Sequence, residues 1–116
     1  MPKLLAPHEL PDEVLAMIAG RFKVMSEVLR LKLIIQLEQG EKSVGELVTA
    51  TGAAQANVSR NLQTLADAGI LSRRKEGQNV FYRIADQGVF DLCQTVCGSL
   101  QKRLEEQARA ARAFVR

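Results

Sequence analysis

Gly52 and Gly69 bracket a segment with room for one helix, and the residues that follow it read as a hairpin. Glycine punctuates helices because its backbone reaches conformations that other residues avoid, so a helix is predicted over roughly 54–68. Val58, Leu62, Leu65 and Ala66 form its single apolar stripe. At about 100° per residue, Ala56, Asn57, Arg60, Gln63 and Thr64 fall on the opposite face, with Gln55, Ser59 and Asn61 beside them. A solvated helix face ordinarily carries a mixture of Glu and Lys. This one carries short amide and hydroxyl side chains instead.

That inventory suits the major groove of DNA. Gln and Asn can pair bidentately with adenine and Arg with guanine; Ser takes either partner, and Ala56 fits against a thymine methyl. The hairpin strengthens this reading. Residues 70–74 and 80–84 are strand-like, the second run being VFYRI, and residues 75–79 between them hold the turn glycine. Arg73, Arg74, Lys75 and Arg83 cluster on this ribbon, and Gln78 and Asn79 lie at its tip. Placed directly after a recognition helix, a basic ribbon grips phosphate or reaches the minor groove. The DNA-contacting set is therefore expected to be Gln55, Ala56, Asn57, Ser59, Arg60, Gln63, Arg73, Arg74, Lys75, Gln78 and Asn79.

The rest of the chain is arranged around this unit. Residues 1–11, with three prolines and the sole histidine, His8, read as an extended arm, and residues 12–112 as one domain. Asp12 and Glu13 open a first helix, whose stripe is Val14, Ile18, Phe22 and Met25. Ser26 is the expected cap of a helix over about 27–39, apolar on nearly every side and hence central, with Arg30 and Lys32 as solvated exceptions. Ser43 and Glu46 form a capping box for a helix over about 43–50, completing a helix-turn-helix with the one that follows. This first member lies across the DNA backbone while the second enters the groove. A long last helix is predicted over about 87–112. Val89, Leu92, Cys93, Val96, Cys97, Leu100 and Leu104 share one arc of it, as a dimerisation seam requires.

Composition sets limits on function. The 116 residues suit one domain, for which dimerisation would supplement a small core. Sixteen basic residues against thirteen acidic give a net charge of only +3, so nucleic-acid binding rests on where the charge sits. The amino terminus lacks the layout of a signal peptide, no apolar run reaches membrane length, and two cysteines suit a reducing cytoplasm. An enzyme is not expected, since one histidine in a proline-rich arm has no partnered base and no glycine-rich phosphate loop is present.

The ordered series SVGEL (43–47), QANVSRNL (55–62), LADAGIL (65–71), RRKEG (73–77) and VFYRI (80–84) closely resembles the ArsR/SmtB family of bacterial transcriptional repressors. The resemblance covers about residues 12–108. It implies a mainly α fold with a small β-hairpin wing, a winged helix-turn-helix whose dimer is formed by the first and last helices. It further implies a repressor whose grip on an imperfect DNA palindrome is switched by a metal, metalloid or redox/sulfur signal. Two positions depart from the family pattern: Ala54 stands where a Ser or Thr helix cap is usual, and Asn61 where His is frequent. The family's histidine- and carboxylate-rich zinc site on the last helix is unmatched, Asp91 being the one obvious acid nearby. Its cysteine pair in the first helix of the helix-turn-helix is also missing, because residues 43–51 contain no Cys.

Cys93 and Cys97 carry the remaining chemistry. Spaced i, i+4, they share one helix side, and two such helices near a two-fold axis would bring four thiols together. Thiolates select soft ions, so a thiophilic metal or metalloid is one expected effector and a redox or reactive-sulfur signal is another. An intrahelical disulfide at this spacing would bend the helix, since cysteine Cβ atoms must approach about 3.8 Å. Against sensing stands plain packing, because cysteine behaves as a small buried hydrophobe. Two further readings stay open: a repressor with no effector of its own, and a winged helix that binds a protein instead of DNA.

Overall fold

In the computed structural model of the chain, residues 4–115 are described; residues 1–3 of the expected arm lie outside them. The arm is not fully extended. Pro7–Glu9 form a single 3-10 turn, with exposed His8 in it.

Proline cannot continue a helix backwards but suits its start, and helix α1 (Asp12–Met25) begins directly after Pro11. Ser26 ends α1 instead of opening the next helix, a correction to the expected cap. Its hydroxyl donates to the Lys23 carbonyl at 2.7 Å, and its own N–H donates to the same oxygen at 3.1 Å. Glu27 takes the N-cap position of α2 (Val28–Gln36) without a side-chain bond. The chain then tightens into a 3-10 turn, Leu37–Gln39. Leu33, Ile34 and Leu37 are buried, whereas Val28 and Ile35 stay exposed, so this apolar helix is central on one side only.

Ser43 makes the predicted reciprocal cap of α3 (Val44–Thr51): its Oγ accepts from the Glu46 N–H at 3.1 Å, and the Glu46 carboxylate accepts from the Ser43 N–H at 3.0 Å. That backbone donor holds the Glu46 carboxyl below the usual carboxylate range. Gly52 closes α3 with φ +71°, a left-handed conformation that a Cβ would disfavour, and thereby sets the turn into α4 (Gln55–Asp67).

Two strands follow, β2 (Leu71–Glu76) and β3 (Asn79–Ile84), paired antiparallel from Leu71↔Ile84 to Glu76↔Asn79. The turn is therefore only Gly77-Gln78, shorter than the expected five residues. Gly77 has φ +61° while Gln78 stays negative, the sign pattern of a II′ hairpin. The first strand in chain order, β1 (Lys42–Ser43), pairs with the free edge of β3 (Lys42↔Tyr82, Ser43↔Phe81), so β3 is the middle of a three-stranded sheet. Two residues are too few to give a sequence pattern, and the ribbon was expected to be two-stranded.

The core lies where these elements converge. Leu33, Ile34 and Leu37, Leu47, Val58, Leu62 and Leu65, Ile70, Leu71 and Tyr82 are all buried. Each aliphatic side chain so removed from water contributes roughly 1.5–3 kcal/mol. Helix α5 (Gln87–Arg112) matches its predicted span and adds Val89 and Phe90 from its first turn. Arg21 of α1 donates to the Ala68 carbonyl at 3.1 Å and pairs with Asp86, tying α1 to the end of α4 and the start of α5. Leu92 and Cys93 pack partly against the core, and beyond them α5 leaves it. None of the helices among the described residues is long and apolar enough to cross a membrane.

Candidate nucleic-acid interface

Helix α4 is divided as its periodicity requires. Val58, Leu62 and Leu65 are fully buried, while Gln55, Ala56, Asn57, Arg60 and Gln63 are exposed and Ser59 is half-buried. Arg60 has no carboxylate partner among the described residues. Gln63 is partly committed, donating to Asp67 at 2.7 Å. The hydroxyl of Thr64 turns back to the Arg60 carbonyl at 3.0 Å. Asn61 departs from expectation. It is 7% exposed, and its amide is enclosed between Arg30 and Asn57. The signal was present in the sequence: position 61 stands three after Val58 and four before Leu65, which is the buried stripe itself.

Arg30, expected in solvent, is the other half of that arrangement. Its side chain is 18% exposed, its Nε donates to Asn61 Oδ1 at 2.9 Å, and its Nη1 donates to the Val24 carbonyl at 3.0 Å. This charge can be half-buried because two of its donors meet oxygens and the Glu27 carboxylate lies 3.8 Å from Nη2. Lys32 is exposed, as expected.

The wing's basic residues differ in kind. Arg73, Lys75 and Arg83 are exposed and lack a carboxylate partner among the described residues. Arg74 is already engaged. Its guanidinium makes three hydrogen bonds to Glu41, with Nη2 2.6 Å from Oε1, and one to Glu76, and it lies 4.6 Å from the centroid of the Phe81 ring. The Arg74 hydrogen bond holds the Glu41 carboxyl below the usual carboxylate range, and the two carboxylates hold the guanidinium charged. Glu41 had no part in the sequence reading.

At the wing tip Gln78 and Asn79 are exposed, and with Ser43, Gln55, Ser59 and Val80 they line one cleft between the start of α4 and the hairpin. The start of α4 and the hairpin tip thus share one cleft with polar side chains on both sides.

The two cysteines sit elsewhere, on α5. Both are free thiols; Cys93 is half-buried against the core and Cys97 is exposed. Burial pushes the Cys93 thiol up, which favours its protonated form. Both line a groove with Ile35 and Glu38 of α2 and its turn, and Phe90 of α5. Among the described residues no three His, Cys, Asp or Glu side chains converge. One chain therefore supplies two soft donors and falls short of the three thiolates that arsenite-like ions prefer.

On the remaining surface, Leu15, Met17, Ile18 and Phe22 of α1 and Val96, Leu100 and Leu104 of α5 are exposed.

Comparison with known proteins follows the same geometry. The family model described as "Bacterial regulatory protein, arsR family" matches residues 27–73, from the start of α2 into β2. The chain is 36% identical over 89 residues to the HTH-type transcriptional regulator Rv0324 of Mycobacterium tuberculosis, a match covering 77% of this chain and 39% of that protein. It is 34% identical over 88 residues to a probable mercury resistance operon repressor of Streptomyces lividans, covering 76% of this chain and 70% of that protein. Among solved structures, it is similar to the homodimeric winged helix-turn-helix DNA-binding domain Mb0332 of Mycobacterium bovis, a fragment of residues 1–100. The TM-score is 0.74 and the identity 31%, with 88% of this chain and 93% of that one covered. The chain spans between 39% and 66% of the length of the first curated relatives it matches. All three proteins described here are named as regulators, a repressor or a DNA-binding domain.

Proposed function

The chain belongs to the arsR family of bacterial regulatory proteins, and from that membership we propose that it acts as a homodimeric repressor on double-stranded DNA. In this reading α4 enters the major groove, α3 crosses the backbone, and the wing rests on phosphate. The observation that carries it is the cleft shared by Gln55 and Ser59 of α4 and by Gln78 and Asn79 of the wing tip; Arg60, Arg73 and Lys75 are exposed on the same two elements without a carboxylate partner among the described residues. The target is an imperfect palindrome overlapping a promoter, and such a role belongs in the cytoplasm.

Titration onto the chain's own upstream DNA and onto random duplex, followed by fluorescence anisotropy, tests this. Arg60→Ala is expected to erase the difference between the two duplexes. Lys75→Ala should weaken both alike and reduce the salt slope by about one. Equal loss on both duplexes for Arg60→Ala would sink the groove assignment. A wild-type chain that binds no duplex but retains a protein partner would establish the protein-interaction reading instead.

We place the effector at Cys93 and Cys97. Their shared groove between α2 and α5 supports this, as does the similarity to a mercury resistance operon repressor, because soft ions and sulfur oxidants both act on thiols. Exposed Cys97 reacts first in this reading, and half-buried Cys93 second. A thiophilic ion needs donors from the partner subunit as well, whereas an oxidant or persulfide needs only these two. DNA release measured with arsenite, a persulfide donor or peroxide, and lost in Cys97→Ser, would support thiol sensing. Unchanged binding with every agent would make both cysteines packing residues.

A further inference from the structure

The two ends of a side-chain amide have nearly the same shape, so which end faces the groove is decided by what holds it. Here the decision starts at Arg30. A guanidinium has donors and no acceptor, so the Asn61 atom 2.9 Å from Arg30 Nε is the oxygen. The Asn61 Nδ2 then points away from Arg30. It lies 2.9 Å from the Asn57 carbonyl oxygen and 3.0 Å from the side-chain amide of Asn57. An NH2 group meets an acceptor there, so Asn57 turns its Oδ1 inward and its own NH2 outward. Each step follows from the one before, and the far end of the chain of bonds is an exposed residue in the first turn of the recognition helix.

This orientation bears on base choice, and it rests on the DNA-binding reading. Bidentate pairing of Asn with adenine needs its oxygen to accept from N6 while its NH2 donates to N7. With the oxygen turned inward to Asn61, the outward NH2 can still donate to adenine N7, but the adenine N6 amino group is left without an acceptor. Guanine presents N7 and O6, two acceptors side by side, and thymine only one beside a methyl group. We propose that Arg30 and Asn61, neither of which touches DNA, are positioning residues that fix Asn57 as a donor, so that the helix selects guanine over adenine at the base it meets.

Selection from a randomised duplex library, read by sequencing, resolves the preference position by position. The wild-type chain should enrich guanine over adenine by roughly tenfold at one position in each half-site. Asn57→Asp, a surface change that leaves the core intact, replaces the donor by an acceptor and should move that position to cytosine, whose N4 donates. Arg30→Met frees the Asn61 amide and should cut the guanine preference several-fold, with adenine recovering. Arg30→Lys, which can still donate to Asn61 Oδ1, should retain it. Circular dichroism of Arg30→Met separates lost folding from lost preference, and Asn57→Asp decides the matter if Arg30→Met does not fold. Adenine at the Asn57-dependent position, or variants that bind more weakly with an unchanged preference, would overturn the proposal and leave the DNA-binding reading standing. A wild-type chain that enriches no sequence would overturn both.

Discussion

Arg74 shows how a residue's role can differ from its composition. It is one of four basic residues on the wing, yet two carboxylates neutralise it and Phe81 lies beneath it. Its effect on DNA is therefore expected to come through wing geometry. Arg74→Ala should weaken binding with an unchanged salt slope, in contrast to Lys75→Ala, and a slope reduced by one would restore Arg74 as a phosphate contact. The pair also has a pH signature. Because the folded-state pKa of Glu41 is lowered by the Arg74 hydrogen bond, its contribution is present above the ordinary carboxylate range and is lost as pH falls through the lowered value. The Phe81 ring resonances, reporting on the cation above them, should shift in that acid window, and Glu41→Gln should remove the shift. A titration identical in the variant would show that another carboxylate governs it.

At the scale of elements, α4 opens without a side-chain cap, whereas α3 before it has one. Ala54 has the extended backbone of an N-cap, φ −63° and ψ 142°, but no oxygen to offer the first turn. Ala54→Ser places an acceptor there without altering the fold and should stabilise the protein by about 1 kcal/mol. The urea midpoint checks this, with m unchanged; no rise would mean that the first-turn amides are already satisfied. Features of this local kind were legible in the sequence. The capping box of Ser43 and Glu46, the stripe of α4 and the span of α5 each depend on residues within a turn or two of one another. What escaped depends on partners remote in sequence: Arg30 meets Asn61 across 31 residues, Arg74 meets Glu41 across 33, and Lys42–Ser43 becomes a strand only because β3 offers an edge. Ser26 was misplaced for a related reason. A serine between two helices fits either terminus, and only the geometry of the end of α1 shows which carbonyl its hydroxyl reaches.

At the scale of the whole molecule, the chain is more extended than a compact domain of its length. Its radius of gyration is 18.1 Å, against roughly 13 Å for a compact domain of this length. Most of the excess is α5, whose 26 residues run about 39 Å and leave Val96, Leu100 and Leu104 more than half exposed. These follow Val89 and Cys93 along the same helix side, so the apolar row starts in the core and continues into solvent. Such an exposed apolar row is the kind of face that marks an interaction site, and a second copy is the cover expected of the proposed homodimer. Leu100→Glu puts a charge in the middle of the row, far from the DNA-facing surface. Light scattering should then find a monomer where the parent chain is a dimer. Affinity for an isolated half-site should be unchanged, while affinity for the full palindrome should fall by roughly a hundredfold or more, because two linked readers gain that much from effective concentration. A persistent dimer would move the interface off α5. Equal loss on half-site and palindrome would mean that the substitution had disturbed the reader itself.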